Sequence, residues 1–239
     1  MLCAIVIQFI FGVAVGAFAY YMPLFFQVVR NSSAMLSGLP LIPMQLATIS
    51  TVLIVGWLVS RTGFNKVPLV VGTILSTTLY GLVQFFDADT PWSQVYGTVL
   101  VGGIGNGCIS ALVVVTAQST LKDERDTAVA TGLLSYIVMM GVGVGIPAAS
   151  AMLNAMLIQE LPKYVPMDYV AKVFNSPEYI HDGLPSQYVD GAIQAYVSAF
   201  RSLWCMMMGL AAITFISALL IKGWALRTHN SNEESNATV

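Results

Sequence analysis

The sequence predicts an all-α integral membrane protein with six transmembrane helices, and two observations carry the prediction. First, the 239 residues are 56% hydrophobic and only 9% charged, against about 25% charged in ordinary soluble domains, and the mean hydropathy is +0.76. Second, six stretches lack Asp, Glu, Lys and Arg and are long enough to cross about 30 Å of hydrocarbon as helix, which takes roughly 20 residues. These stretches are 1–29, 31–60, 67–86, 90–121, 127–159 and 202–221.

The division of the chain follows from these stretches. The transmembrane bundle is predicted over residues 1–227, and 228–239 are predicted to be a disordered cytosolic tail because they are polar and lack aromatic residues. The first stretch begins at the first residue, which predicts that a segment upstream is missing. The spans are predicted at approximately 3–25, 38–60, 67–86, 95–117, 128–156 and 199–222, with a long outer loop over 159–195. Segments 168–174 and 186–200 are predicted to form interfacial helices that cap the bundle.

The distribution of basic residues predicts the orientation in the membrane. Alternate connections share a side, and short cytosolic connections carry an excess of Lys and Arg. One set holds Arg61, Lys66, Lys122, Arg125, Lys222 and Arg227, whereas the other holds Arg30, Lys163 and Lys172. Both termini are therefore predicted to be cytosolic. The sequon Asn31-Ser32-Ser33 then lies outside, where Asn31 is a candidate for N-glycosylation.

The sequence argues against an enzyme and against a metal site. The spans contain no acidic residue and no histidine, and the chain has neither a P-loop nor an H-E-x-x-H motif. Catalytic and metal-binding residues are therefore predicted to be absent, no cofactor is expected, and the small net charge of −2 gives no sign of a nucleic-acid partner. The three cysteines are interpreted as small buried apolar residues.

Glycines recur at a four-residue spacing inside the spans. The run from Gly102 to Gly107 imitates a dinucleotide-binding fingerprint, but no strand precedes it and it falls in the middle of a span. Small residues four apart allow two membrane helices to approach closely, so we interpret these glycines as packing positions. The pairs are Gly12 and Gly16, Gly103 and Gly107, and Gly141 and Gly145.

Uncharged polar side chains inside the spans are costly in lipid, so they are expected to face the bundle interior or a cavity. They are Gln8, Gln45, Asn106, Gln118 and Asn154. For each of them the alternatives are an interhelical hydrogen bond and a contact with a substrate.

One motif carries a resemblance to a known family. The segment VGWLVSRTGFNK, residues 55–66, resembles the loop signature between the second and third helices of a half in the major facilitator superfamily. Gly56, Arg61 and Gly63 stand at matching places and Lys66 supplies a basic residue at the end, whereas Ser60 replaces the expected acid and Phe64 a basic residue. Such decay is typical of the repeat in the C-terminal half.

Two further segments resemble the fourteen-spanner drug:proton antiporters of that superfamily, which include fungal multidrug and toxin efflux pumps. They are YYMPLFFQ (20–27) with SGLPLIP (37–43), and the segment 117–146. Gly132, Gly141 and Gly145, with Pro147, also echo the antiporter motif of the superfamily, which we interpret as helix packing. The chain resembles the last six of the fourteen spans.

The resemblance implies the C-terminal half of a major facilitator fold, working as a secondary active transporter. It implies efflux of a small amphipathic or apolar substrate by proton antiport, driven by the proton gradient, through a cavity lined by the first and fourth helices of the half. The bilayer and either the N-terminal half or a second copy are the implied partners. The implied location is the plasma membrane, with the vacuolar membrane as an alternative. The candidate substrate-facing residues are Gln8, Tyr20, Tyr21, Gln27 and Asn106.

A second hypothesis belongs to a different functional class. The chain is then a truncated or mis-split membrane fragment that transports nothing and acts only as an interaction partner. The start inside a hydrophobic span favours this reading. Substrate identity stays open under either hypothesis.

Overall fold

Long apolar helices dominate the computed structural model, which describes residues 2–63, 65–118 and 124–221. Within these ranges there are nine helices and no strand. The helices are α1 (Leu2–Arg30), α2 (Ala34–Gly38), α3 (Leu41–Thr62), α4 (Lys66–Val83), α5 (Trp92–Gln118), α6 (Glu124–Tyr164), α7 (Met167–Asn175), α8 (Tyr179–Asp182) and α9 (Ser186–Leu220). Among the described residues six helical segments are long and apolar enough to cross a membrane. The predicted all-α fold with six spanning helices is confirmed.

Local chemistry explains where the first helices end. Asn31, the residue after α1, has φ 50°, a left-handed conformation that Asn tolerates better than most residues. Ser33 then caps α2 by accepting a hydrogen bond from Leu36 N at 3.4 Å. Gly63 ends α3 with φ 72°, and its N–H donates to Val59 O at 2.9 Å.

The long predicted loop is shorter than expected. α6 continues to Tyr164 although Pro162 lies inside it, and α9 begins at Ser186, so the connection covers residues 165–185 and contains α7 and α8. Segment 168–174 falls within α7, as predicted. Segment 186–200, predicted as a separate interfacial helix, is the first part of α9, because no proline interrupts it and its apolar face stays buried through Ala192, Ala195 and Ala199.

The helices pack as two interlocked sets of three. α1 packs against α6 and α9, and α5 packs against α3 and α4, while α4 and α9 join the two sets. Across one side of the bundle the order is α3, α5, α1, α6, and we call this side the open face.

Two glycine pairs bring α1 and α6 into backbone contact. A Cβ on Gly12 would overlap Val138 O, and a Cβ on Gly141 or Gly145 would overlap Phe9 O or Val13 O. Such close approach is what small residues four apart permit between membrane helices.

The same arrangement recurs between α5 and its neighbours. A Cβ on Gly103 would overlap Met44 O of α3, and one on Gly107 would lie 2.7 Å from Thr48 O. Thr48 Oγ1 also donates across this contact to Gly103 O at 3.1 Å. The α3–α5 pair is thus held by both backbone proximity and a hydrogen bond.

Two residues of the predicted packing set make no such approach. A Cβ added to Gly132 would meet no atom within 4 Å, and Pro147 is exposed on α6. Both lie on the side of α6 that turns away from α1, because neither stands at the four-residue spacing of Gly141 and Gly145. The predicted tail 228–239 and the residues Phe64, Lys122, Lys222 and Arg227 lie outside the described residues.

The glycine contacts give the first testable prediction. Gly141→Ala should lower the free energy of unfolding by about 1–3 kcal/mol, because the new methyl group meets backbone atoms of α1 that cannot move aside. Gly143→Ala on the same helix is the matched control, since a Cβ there meets nothing within 4 Å. Denaturant unfolding in detergent micelles, followed by circular dichroism, measures both. Equal effects of the two substitutions would contradict the packing role.

Candidate transport surface

Two sides of the bundle differ in the chemistry of their exposed residues. The exposed residues of α4 and of the membrane part of α9 form stripes without any charged or amide group. They are Val67, Val71, Ile74, Thr78 and Leu82 on α4, and Cys205, Gly209, Ile213, Ile216, Leu219 and Leu220 on α9. Thr78 satisfies its own hydroxyl by donating to Ile74 O at 2.9 Å. These stripes fit direct contact with lipid.

The open face carries amide and phenol groups among its apolar residues. Gln45 on α3, Asn154 on α6 and Tyr136 on α6 are all exposed. An amide turned toward hydrocarbon is costly, so such a surface fits against protein or a water-filled cavity. We therefore take the open face as the candidate transport surface.

The two neighbouring tyrosines of α1 have different environments. Tyr20 is 55% exposed, whereas Tyr21 is buried and its hydroxyl donates to Ile146 O of α6 at 3.4 Å. Their rings meet edge to face with centroids 5.0 Å apart. Tyr21 thus joins α1 to α6, and of the two tyrosines only Tyr20 is exposed.

Asn106 and Gln8 lie inside the bundle and not on the open face. Ser76 Oγ of α4 donates to Asn106 Oδ1 at 3.0 Å, so Asn106 makes an interhelical hydrogen bond. Asn106 lines an internal cavity of about 10 Å³, room for about one water. Gln8 is 5% exposed, and its Oε1 has no hydrogen-bond partner in the part of the chain that the structure describes.

The placement of Gln8, Tyr21 and Asn106 therefore argues against direct substrate contact. Sequence reasoning grouped them with Tyr20 because a polar residue in a span must avoid lipid, and burial within one bundle meets that requirement as well as a cavity does. Of the other polar candidates, Gln118 Nε2 donates to Thr131 Oγ1 at 2.9 Å and joins α5 to α6.

Gln27 lines a polar cavity of about 550 Å³ at the end of the bundle where α1 finishes, which we call the Arg30 end. His181 fixes one wall of this cavity, because its Nε2 lies 2.9 Å from Val28 O. The remaining lining comes from the α1–α2 turn and from residues 175–182. Gln27 is thus separated from the open face, and sequence reasoning missed this cavity because its two walls are about 150 positions apart.

Two arginines at the Arg30 end hold the connection between α4 and α5. The Arg30 guanidinium lies between the rings of Phe26 and Trp92, 5.1 and 4.8 Å from their centroids, and donates to Thr90 O and Asp87 O. Arg201 of α9 donates through Nε to Gln84 O at 3.1 Å. The sequence alone does not reveal that these two arginines, which lie on different helices, reach the same loop.

The signature-like loop lies at the opposite end of the bundle. The Arg61 guanidinium lies over the Trp57 ring, 5.1 Å from its centroid, and Ser60 Oγ donates to Trp57 O at 2.7 Å. A Cβ added to Gly56 would meet no atom within 4 Å, and Lys66 begins α4. Asn65, which the motif does not single out, anchors the loop because its Nδ2 donates to Thr116 Oγ1 of α5 at 3.2 Å.

The described residues include no group of three His, Cys, Asp or Glu side chains that could hold a metal ion.

The sequence profile of the Major Facilitator Superfamily matches residues 1–146. The chain belongs to the major facilitator superfamily. The match runs from α1 to the middle of α6 and includes Tyr20, Gln45 and Tyr136 of the open face but not Asn154. The predicted family is confirmed.

Fungal transporters of the superfamily match most of the chain. It is 30% identical to the aspyridones efflux protein of Neocamarosporium betae, over 90% of this chain and 39% of that protein. It is 27% identical to the MFS-type transporter ltbE of Aspergillus luteorubrus, over 90% of this chain and 38% of the relative. The efflux pump mlcE of Penicillium citrinum is 25% identical over 93% of this chain and 40% of its own length.

The chain thus spans about two fifths of the length of the curated relatives that it matches. These similarities support a partial major facilitator transporter, as the sequence predicted, and they point to a transporter and not an enzyme. Together with the six apolar helices they indicate a multi-pass membrane protein.

The hydrogen bond between Asn106 and Ser76 gives a second prediction. Asn106→Leu should lower the free energy of unfolding, and a double-mutant cycle with Ser76→Ala should give a coupling of about 0.6 kcal/mol, the average for membrane interhelical hydrogen bonds. Unfolding in micelles measures the cycle. Asn154→Leu, at an exposed amide, is the control and should leave stability nearly unchanged. A coupling free energy of zero would contradict the hydrogen bond, and Asn106 would again be a candidate for substrate contact.

Proposed function

We propose that the chain is the C-terminal six-helix half of an efflux transporter that exports small amphipathic or apolar compounds by proton antiport. The observation that carries the proposal is the open face, where exposed aromatic, thioether and amide groups occur together on α1, α3 and α6. Membership in the superfamily supports it, and several relatives are named as efflux pumps or efflux proteins.

The open face supports a partner on that side. α3 and α6 are the least buried spanning helices in the part of the chain that the structure describes. A surface with exposed amides cannot remain in hydrocarbon at low cost, so it needs a covering partner or water. We assign that place to the N-terminal half of the transporter, with a second copy of the chain as the alternative partner.

The chemistry of the open face favours planar apolar substrates. Tyr20 offers a ring for stacking and a hydroxyl for one hydrogen bond. Met139 and Met140 of α6 are exposed, and flexible thioether side chains adapt to ligands of different shapes. This combination supports a broad substrate range over recognition of one rigid polar molecule.

The driving force in this proposal is the proton gradient, and no bound cofactor takes part. The described spans carry carboxylates only near their ends, at Asp126, Glu160 and Asp190. We therefore assign the main proton-carrying group to the partner half.

The third prediction tests transport. The chain replaces the matching segment of the aspyridones efflux protein, and the chimera is reconstituted in vesicles with an imposed pH gradient and rhodamine 6G as probe. Proton-dependent dye movement is expected. Tyr20→Ala should weaken the apparent affinity for the dye roughly fivefold, because it removes about 1 kcal/mol of aromatic contact.

Leu219→Ala on the lipid-facing stripe is the matched control and should leave dye movement unchanged. A chimera that inserts normally but moves no dye would overturn the proposal and favour the alternative, in which the chain is a non-transporting fragment and an interaction partner. The chain alone in the same vesicles separates independent transport from transport by a complete pump.

The fourth prediction tests orientation. We propose that both termini face the cytosol in the plasma membrane, with the vacuolar membrane as the alternative, and that Asn31 carries an N-linked glycan. Asn31 is exposed in the turn after α1. Endoglycosidase treatment of the chain from eukaryotic cells should then reduce its apparent mass, and Asn31→Gln should abolish that change. Asn175→Gln is the control, because Pro177 prevents a sequon there. A chain of unchanged mass would contradict the glycosylation of Asn31.

A further inference from the structure

A groove between α4 and α9 lies on the side opposite to the open face. Its volume is about 580 Å³, within the range of about 300–1,000 Å³ that small-molecule sites occupy. Its lining includes Ile74, Thr77, Thr78, Gly81 and Gln84 on one wall and Met208 on the other.

The hydroxyl groups of Thr77 and Thr78 and the amide nitrogen of Gln84 in the groove are directed to other groups of the protein. Thr77 Oγ1 donates to Thr73 O at 2.8 Å, and Thr78 Oγ1 donates to Ile74 O at 2.9 Å. Gln84 Nε2 lies 3.3 Å from the sulfur of Met208. The walls therefore present methyl groups, a thioether and aromatic rings, which suit a hydrocarbon chain and offer little to a polar ligand.

The groove opens onto the lipid-facing side of the bundle, so the hydrocarbon chain that fits it comes from the bilayer. Its walls continue the exposed stripes of α4 and α9, which bear no charged or amide group within the membrane. Phe85 at its end is 69% exposed and Ile74 is 46% exposed. A surface of this composition faces the acyl chains of the bilayer, which fill any groove that opens onto it.

A pair of opposite charges lies at the Arg30 end of the groove. Arg201 donates through Nε to the carbonyl of Gln84, a groove residue, and its Nη2 lies 3.5 Å from Asp87 Oδ1. The two side chains are 53% and 61% exposed, so each keeps capacity for another partner. Arginine has five N–H donors and suits phosphate, and an exposed carboxylate suits an ammonium group.

We propose that this groove binds one zwitterionic phospholipid of the bilayer. One acyl chain lies between α4 and α9, the phosphate accepts hydrogen bonds from Arg201, and the ammonium group lies beside Asp87. The site is separate from the open face, and the proposal does not depend on transport.

Photocrosslinking tests the proposal. The full chain is reconstituted in nanodiscs with phosphatidylethanolamine that carries a diazirine on one acyl chain, and crosslinked peptides are mapped by mass spectrometry. Crosslinks should concentrate on residues 74–85 and 208–215. A diazirine diacylglycerol, which lacks the phosphate and the amine, should give about tenfold fewer crosslinks there, the expected loss of a charge-assisted hydrogen bond.

Variants separate the groove from the head-group contacts. Gly81→Trp should remove the groove crosslinks, because a Cβ at Gly81 makes only an ordinary 3.5 Å contact with Met208 and a larger side chain projects into the groove. Gly143→Trp on α6, where a Cβ meets nothing, is the matched control and should preserve them. Arg201→Gln should reduce the phosphatidylethanolamine signal to the diacylglycerol level, and Arg201→Lys should restore part of it.

The proposal would be overturned by crosslinks that spread evenly along α4 and α9, or by equal labelling with the two lipids. Labelling of Gly81→Trp equal to that of Gly143→Trp would overturn it too. Stronger competition by unlabelled phosphatidylglycerol than by phosphatidylethanolamine would also overturn it, because the acidic lipid lacks the ammonium group that Asp87 would receive. Circular dichroism of each variant establishes that it is folded.

Discussion

Backbone contact between helices at glycine positions is the constraint on which the rest of this structure depends. At Gly12, Gly141 and Gly145 the backbones of α1 and α6 come so close that even a methyl group would overlap a carbonyl. The same holds at Gly103 between α5 and α3. In a bilayer the hydrophobic effect does not drive helices together, so dispersion contacts and interhelical hydrogen bonds must supply the attraction. Close approach maximises both, as Thr48 shows when it donates to Gly103 O across the gap.

This packing determines which surfaces remain available. The glycine-bearing faces of α1 and α5 pack against α6 and α3. The outer sides of α3 and α6 therefore stay uncovered and form the open face. α4 and α9 complete the opposite side and present apolar stripes. The bundle therefore has one surface suited to protein or water and another suited to lipid. The proposed transport role belongs to the first surface and the proposed phospholipid site to the second.

The ends of the bundle are held by polar contacts of a different kind. At the Arg30 end, Arg30 and Arg201 reach from α1 and α9 to the carbonyls of the α4–α5 connection. At the other end, Asn65 ties the α3–α4 turn to Thr116 of α5. Each contact joins elements that are distant in sequence, so the loops are anchored to helices that they do not directly connect. In a transporter that works by rocking of rigid bundles, such anchors would keep each bundle intact during the motion.

The bilayer environment, the six spanning helices and the family could be predicted from the sequence, because charge-free stretches long enough to span a bilayer and the signature at 55–66 are local features. The sequence also predicted that Gln8 and Asn106 avoid lipid. Where the polar residues lie depends on the helix packing: Asn106 accepts a hydrogen bond from Ser76 inside the bundle, whereas Tyr20 is exposed and Tyr21 is buried. A polar side chain is costly in hydrocarbon, and this cost is a property of the residue itself. Whether the side chain then meets another helix or an open surface depends on how the helices are rotated and paired. Gly132 lies on the same helix as Gly141 and Gly145, yet a Cβ added to it would meet no atom within 4 Å.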